Sequence, residues 1–493
     1  YQYSISVKKN KFNRMGMCST IPHIQVTGCR KACSASDVRI VVVGAGLAGL
    51  SAASQLFKNG FNHTIILEAT ERFGGRINSI YFGDVYCELG AKWISIDASK
   101  DSAYEIISQT SRLKPKVLKE NEKYYCNDQG EKVQQNFQSK INLMFKHLCY
   151  AIEKKYRTGV LQNSSNIQTL KAESDKAIKS MFEHNERNLA FNIYSKRIRE
   201  YSSLMGCCLE HVNIEHMIKW YEESTSPIYL PTGMDNILNH VTSNFDRKQI
   251  KFVHPVGVIK WLDSIDFHGK TITCLDGSHF FADHIICTLP LGVLKNFSKY
   301  IFFPTLPEKK INSIKNLGFG CPLKMYIEYE NCIRPWFFTN IRPFWPSGEC
   351  WNKFTWAKQI IEISKIATSR RVLQITIGGP HFEEIEKLPD TEILLEVTVL
   401  LRRCLKNPSV PYPASLLRSN WSSNACFLGG KPYISTRSTI NDVEELATPL
   451  GEPPTLLFAG DGTILNGFGS IDGARRSGLR EAQRIVEYYN MRG

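Results

Sequence analysis

Residues Val41–Glu68 read VVVGAGLAGLSAASQLFKNGFNHTIILE. Gly44, Gly46 and Gly49 are two and three residues apart, and Glu68 follows 24 residues after Gly44. Arg39–Val43 is a β-branched run that reads as a buried strand. Leu47–Asn59 carries apolar residues at helical spacing (Leu47, Leu50, Ala53, Leu56, Phe57), and Gly60 ends that helix. Thr64–Leu67 reads as a second strand with Glu68 at its C-terminal end. A glycine triplet alone is a weak signal. Strand, turn, helix, strand and acid in this order predict an α/β fold with a Rossmann-like GxGxxG domain that binds a dinucleotide. Gly44 permits the tight turn, Gly46 lets a pyrophosphate approach the backbone, and Gly49 lets helix and strand pack closely. Ala45, Leu47 and Ala48 complete the loop, whose helix N-terminus offers N–H groups and a positive dipole. Glu68, followed by Ala69, is suited to accept hydrogen bonds from the adenosine ribose. NAD and FAD are both compatible with this unit.

The rest of the composition narrows the class. A chain of 493 residues holds two or three domains, and 43% hydrophobic residues is ordinary for a globular protein. No apolar run reaches the roughly 18 residues of a membrane span. The formal charge of +14 would suit an acidic partner. The basic residues form no single block, however, and no nucleic-acid motif accompanies them, so no nucleic-acid partner is expected. Fifteen cysteines at irregular spacing read as reduced thiols. Cys207, Cys208, His211 and His216 lie close together but lack paired ligand spacing, so no metal is expected. Residues 1–36 carry six basic side chains (Lys8, Lys9, Lys11, Arg14, Arg30, Lys31) and no acid. They are expected to be a disordered tail outside the folded body, with organelle targeting the weaker reading.

The residues after Glu68 distinguish the two nucleotides. Arg72, Gly74, Gly75 and Arg76 add a glycine pair where backbone can pass close to a cofactor and arginines that can reach phosphate or ribose. Cys87–Trp93 then reads CELGAKW. Together these resemble the flavin-containing amine oxidase family, from about Val38 to Val486. Leu230–Met234 (LPTGM), Pro255–Trp261 (PVGVIKW), Asp283–Lys295 (DHIICTLPLGVLK) and Leu456–Asp461 (LLFAGD), with Gly473-Ala474 and Ser477–Ala482, extend the resemblance in the family's order. It implies bound FAD. The implied cofactor residues also include Gly90, Ala91, Lys92, Trp93, Val256, Trp421, Gly460, Asp461, Ser470 and Ile471. A helix beginning near Ile471 would point its N-terminus at the flavin ring and favour negative charge there.

Within the family the chain is most similar to the polyamine oxidase and spermine oxidase branch. Gly318–Tyr326 (GFGCPLKMY) places Lys324 where that branch has a lysine holding a water beside flavin N5; alone, Lys324 would read as a surface lysine. Monoamine oxidases often bind flavin through a cysteine after Gly-Gly. Here Lys431 follows Gly429-Gly430 and Cys426 is out of register, so the FAD is expected to be non-covalent. The resemblance implies hydride transfer from the carbon beside a neutral amine nitrogen to flavin N5. Imine hydrolysis then gives aldehyde and amine, and O2 is reduced to hydrogen peroxide. A dry pocket would help keep the amine neutral. Substrate-pocket residues by the same resemblance are Ser95, Trp220, Phe468 and Tyr433. The aromatics of Trp336–Trp356 read as packing within the substrate domain; the alternative is that one or two line a substrate tunnel.

The pattern also departs from the family. Ser95 stands where animal polyamine oxidases usually have histidine. Lys219 stands where an acid precedes the aromatic, Gly467 replaces one aromatic, and Asp472 occupies the usual clamp-histidine position. These departures suggest altered amine specificity or low activity, so the alternative is a flavin-binding pseudo-oxidase with a regulatory role. A histone-demethylase reading would require a long charged helical hairpin for docking, which the sequence does not show. The expected organisation is an FAD-binding domain from 37–98, 234–295 and 436–489, with an inserted α+β substrate-binding domain from 99–233 and 296–435. A monomer is expected, cytoplasmic, with the peroxisome or another organelle left open. Helices are expected at Ile141–Arg157 and Glu183–Met205, and a mobile polar loop at Gly159–Ser174.

Overall fold

The structure, a computed structural model, describes residues 35–491 apart from 98, 111–112, 118–122, 128, 159–165, 214–226, 263–268, 335, 338–339, 346–355 and 380. Almost all of the basic tail, together with His216, Lys219, Trp220, Phe338, Trp351 and Phe354, lies outside the described residues.

The β-branched run forms the strand Ile40–Val43, fully buried. It pairs in parallel with Thr64–Leu67 on one side and His284–Cys287 on the other. Ile250–Lys251 and Leu456–Phe458 complete a five-stranded parallel sheet. The helix Leu47–Lys58 returns the chain from the first strand to the second, and Gly60 takes the positive φ of 84° that ends it. Against this helix packs the C-terminal helix Ile471–Asn490. A Cβ on Gly478 would stand 2.0 Å from Ala48 O, so only glycine allows the approach. Parallel strands with helical crossovers bury both faces of the sheet, which is why these strands read as unbroken apolar runs.

A second sheet of six strands runs in the order Ser415–Arg418, Lys324–Glu328, Val372–Ile377, Ile360–Lys365, Asn340–Pro343, Lys123–Cys126. Its alternation separates two faces. Met325, Ile327, Ile341, Ile363 and Ile375 belong to one apolar cluster, which also takes in Phe337 and Trp356. The opposite face is polar. There Lys324 pairs with Thr376, and Tyr326 with Gln374. Arg342, on the same sheet, binds Glu362, Glu200 and the Tyr125 hydroxyl.

Three helices, Gln135–Arg157, Asn166–Met181 and Arg187–Met205, share a core with Tyr125 and Phe344. The segment expected to be a mobile polar loop is therefore helical from Asn166 onward. Its polar composition conceals the stripe Ser174, Ala177, Ile178 and Met181, spaced by three and four residues; Ser174 is fully buried, and the other three pack in the shared core. The helices pack on the body instead of projecting as a docking hairpin. None of the described cysteines is joined in a disulfide. Among the described residues no helix is long and apolar enough to cross a membrane, and no group of three or more His, Cys, Asp or Glu could hold a metal ion.

Candidate active site

The C-terminal ends of the parallel strands place three loops at one edge of the five-stranded sheet: Gly44–Gly46, Glu68–Thr70 and Ala459–Asp461. In open parallel sheets this edge is where ligands bind. Gly44 has φ 105°, and a Cβ there would meet Thr288 Oγ1 at 2.5 Å. A Cβ on Gly49 would stand 2.0 Å from Gly44 O, so helix and strand close on that glycine. Gly46 is different, for a Cβ there would meet nothing within 4 Å. It is the N-cap of the helix, and no side chain caps the helix N-terminus. A helix N-terminus with no side-chain cap and an open position at its N-cap glycine suits an anionic ligand. Leu47 and Ala48 are buried in the adjoining core.

Glu68 is buried and already engaged. Oε2 accepts from Ala45 N–H at 2.8 Å, and Oε1 accepts from the Thr70 N–H and hydroxyl at 2.9 and 2.8 Å. A carboxylate has about four acceptor sites, so capacity for ribose hydroxyls remains. Ala69 is half-buried beside it. His254 N–H donates to Glu68 O at 2.8 Å, which brings the start of the strand Val256–Lys260, and with it Val256, close to the acid.

The second glycine pair runs alongside the first loop. Gly46 and Gly74 form a parallel bridge, and Gly74 N–H donates to Ala45 O at 2.8 Å. Arg72 folds back on this turn, donating to the carbonyls of Phe73, Gly75 and Ile77. Burial lowers its pKa from the usual arginine range. Arg76 reaches further. It forms a two-pronged pair with Asp461, at 2.9 and 2.7 Å, and donates to Gly430 O at 2.9 Å. Gly90 packs on Arg76 O so closely that a Cβ would stand at 1.7 Å, and Ala91 N–H donates to the same oxygen at 3.1 Å. Trp421 lies between Gly90 and Gly430, and its indole N–H donates to Leu89 O at 2.9 Å.

At the far end of this chain of contacts the Lys324 ammonium donates to Gly90 O. Lys92 donates to Gln374 Oε1 and lies 4.9 Å from the centre of the Trp93 ring, which meets Tyr229 edge-on at 5.9 Å. Lys92, Lys324 and Lys431 are deeply placed yet keep some accessible surface. Burial pushes Lys324 down to about 7, helped by the like charge of Lys92, and pushes Lys92 down to about 8. Glu88 lies behind them with its oxygens on Ser79 Oγ and Met234 N–H, and burial raises it to about 7. Lys431 is also lowered by burial.

Gly460 offers another open position, with nothing within 4 Å of a Cβ. Ser470 caps the C-terminal helix by accepting from Gly473 N–H at 3.2 Å, and Ile471 begins it. Gly467 has φ 82°, and a Cβ there would crowd Gly473 N at 2.8 Å, so an aromatic residue does not fit this turn without rearrangement. The remaining described pocket candidates differ in setting, with Tyr433 two residues from Lys431 on one strand and Phe468 next to Gly469, where a Cβ would stand 3.2 Å from Lys431 Cε. Ser95 is exposed. Phe468 packs against an apolar cluster under the parallel sheet. Tyr433 is buried with Met205, Leu209 and Val212. Asp472 turns away, its Oδ1 accepting from Ala103 N–H at 2.6 Å. Glu88 and Gln374 went unread as site residues. Gln374 carries no sequence signal, since only the strand register brings it to Lys92.

A parallel sheet with glycine loops converging at its C-terminal edge, joined to a polar sheet face with deeply set lysines, suits a nucleotide-dependent oxidoreductase. The family model for flavin containing amine oxidoreductase matches residues 47–486, and the chain belongs to that family. It is 48% identical over 464 residues to Protein anon-37Cs of Drosophila melanogaster, covering 92% of this chain and 91% of that one. It is 28% identical over 505 residues to the Peroxisomal N(1)-acetyl-spermine/spermidine oxidase of Homo sapiens, covering 92% and 95%. Probable polyamine oxidase 5 of Arabidopsis thaliana is 24% identical over 545 residues, covering 92% and 99%.

Proposed function

We propose that the protein is an FAD-dependent amine oxidase that holds its flavin without a covalent bond. The observation that carries this reading is one continuous run of contacts. It leads from the open glycine at Gly46, through Gly74 and Arg76, to Asp461, Gly430, Gly90 and Lys324. The open positions at Gly46 and Gly460 leave room for a ligand to lie against backbone, and the uncapped helix N-terminus suits its phosphates. In this reading Gly44–Gly49, Glu68, Gly74, Gly75, Gly460 and Asp461 hold FAD. Arg72 and Arg76 shape the loops that receive it. FAD held there would supply an acceptor for a hydride from the carbon beside the amine nitrogen, with O2 as the terminal electron acceptor giving hydrogen peroxide and imine hydrolysis giving an aldehyde and an amine.

The chain's own residues prepare that reaction. Lys324, with its amine near neutrality, takes a proton from a water or from the substrate ammonium, and Gly90 O fixes the position of its nitrogen. The indole of Trp93 offers an aromatic face to a cationic chain. Polyamines and acetylated polyamines are the substrates toward which the names of two relatives point. A monomer in the cytoplasm is the accompanying expectation. The second reading, a flavin-binding protein with little activity, is favoured by exposed Ser95 and by the commitment of Asp472 to Ala103.

A peroxidase-coupled assay with spermine, N1-acetylspermine, spermidine and a monoamine tests the function. The proposal expects peroxide from at least one amine, and acid precipitation should leave FAD in the supernatant. Colour retained in the pellet would refute non-covalent binding. FAD release without peroxide from any amine would favour the second reading.

A further inference from the structure

Lys92 and Lys324 come from segments far apart in sequence, and the fold fixes them over the same patch of sheet. Lys324 and Tyr326 are two residues apart on one strand, and their ladder partners are Thr376 and Gln374. Residues two apart share a face. Lys92 reaches this face from the Gly90–Trp93 segment by donating to Gln374. Lys324 reaches back the other way by donating to Gly90 O, two residues before Lys92. Each nitrogen is therefore held by an uncharged acceptor, and the two anchoring contacts lie two residues apart along the Gly90–Lys92 segment.

The other titratable groups around them have contacts of their own, and Glu88, when ionised, favours the charged form of both lysines. Glu88 accepts from Ser79 and Met234 N–H. Glu362 is paired with Arg342 at 2.7 Å. Asp461 is paired with Arg76. Cys87 and Tyr326 are held neutral by burial. Lys431 adds a further positive charge from the Gly430 side.

We propose that Lys92 is a positioning residue whose charge, fixed in place by Gln374, adds to burial in favouring a neutral Lys324 amine that can accept a proton. Like charges confined to a low-dielectric space disfavour joint protonation. Lys92 bears the charge, and Lys324 gives up the proton. The directions of the two shifts agree with this division, since Lys324 is the more strongly lowered of the two. What the neutral amine is used for rests on the amine-oxidase reading. The charge relation is a property of the chain itself.

Competitive acetylation of the purified flavoprotein across a pH series, read by peptide mass spectrometry, gives the pH midpoint at which Lys324 becomes reactive. Lys92→Met is expected to raise that midpoint by roughly one pH unit. Lys92→Arg, which keeps the charge, should leave it in place. Gln374→Glu, which sets a carboxylate against Lys92, should raise it and serves as the test if the methionine variant does not fold. An unchanged midpoint in the folded variants would overturn the proposal. So would a Lys92→Arg variant that shifts as far as Lys92→Met, because the effect would then be one of packing. Anaerobic flavin reduction by amine, followed in the same samples, separates the two readings. A shifted midpoint without any amine-driven reduction upholds the charge relation and removes the oxidase reading. Normal reduction with an unshifted midpoint removes the role of Lys92 alone.

Discussion

Lys324 sits deep beside Gly90, and burial lowers it to about 7. If its neutral form accepts the proton, amine oxidation rises with pH through about 7. Lys324→Met should lose that rising limb and slow turnover by about 10²–10⁴-fold, the usual range for a positioned acid–base group. A pH–rate profile of the two proteins checks this. The same shift has a consequence for stability. The unfolded lysine keeps its proton up to about 10.4, so above 7 the unfolded chain binds more protons than the folded one. On this group's account stability rises as pH climbs from about 7 toward 10, and the Lys324→Met protein should show a flatter slope of Tm against pH across that window. Arg76 and Asp461 are joined by two charge-assisted hydrogen bonds across 385 residues of sequence. Asp461→Asn removes the ion pair, with an expected loss of about 2 kcal/mol by denaturant unfolding and weaker flavin retention by gel filtration.

At the level of elements, the strand–turn–helix–strand unit was legible because its signals are local. The strand Thr64–Leu67 and the helix start at Leu47 lie where periodicity puts them. The long helix begins at Gln135, six residues before its apolar stripe becomes evident at Ile141. Asn166–Met181 was unreadable as a helix, because its stripe is spaced among polar residues and takes effect only when neighbouring helices cover it. The lysine cluster was equally hidden. Lys92 and Gln374 are 282 residues apart, and no spacing rule connects them. Gly49 offers the sharpest test at this scale. With Gly44 O at 2.0 Å from the added carbon, Gly49→Ala must push the helix Leu47–Lys58 off its strand. Overpacking of this kind costs about 1–3 kcal/mol, and it should lower Tm and flavin content together. A variant with normal Tm and full flavin content would show that the helix can shift freely.

The whole molecule is tied across the same edge of the sheet. The C-terminal helix contacts the segment 97–105 through Arg475 with Glu105 and Arg476 with Asp97, while Arg76 and Asp461 close the loops around the glycines. Because the proposed ligand would touch loops from both ends of the sequence, it should stabilise the fold as a unit. At free FAD near 100 times its Kd, binding to the folded chain alone adds about 2.7 kcal/mol, measurable as a higher Tm of reloaded over flavin-stripped protein. The central claim, that this arrangement oxidises amines through a bound flavin, is tested most directly by anaerobic titration of the purified flavoprotein with spermine, N1-acetylspermine, spermidine and a monoamine while the visible spectrum is recorded. At least one of these amines should bleach the flavin band, and admitting oxygen should restore it. A flavin that stays fully oxidised with every amine would contradict it.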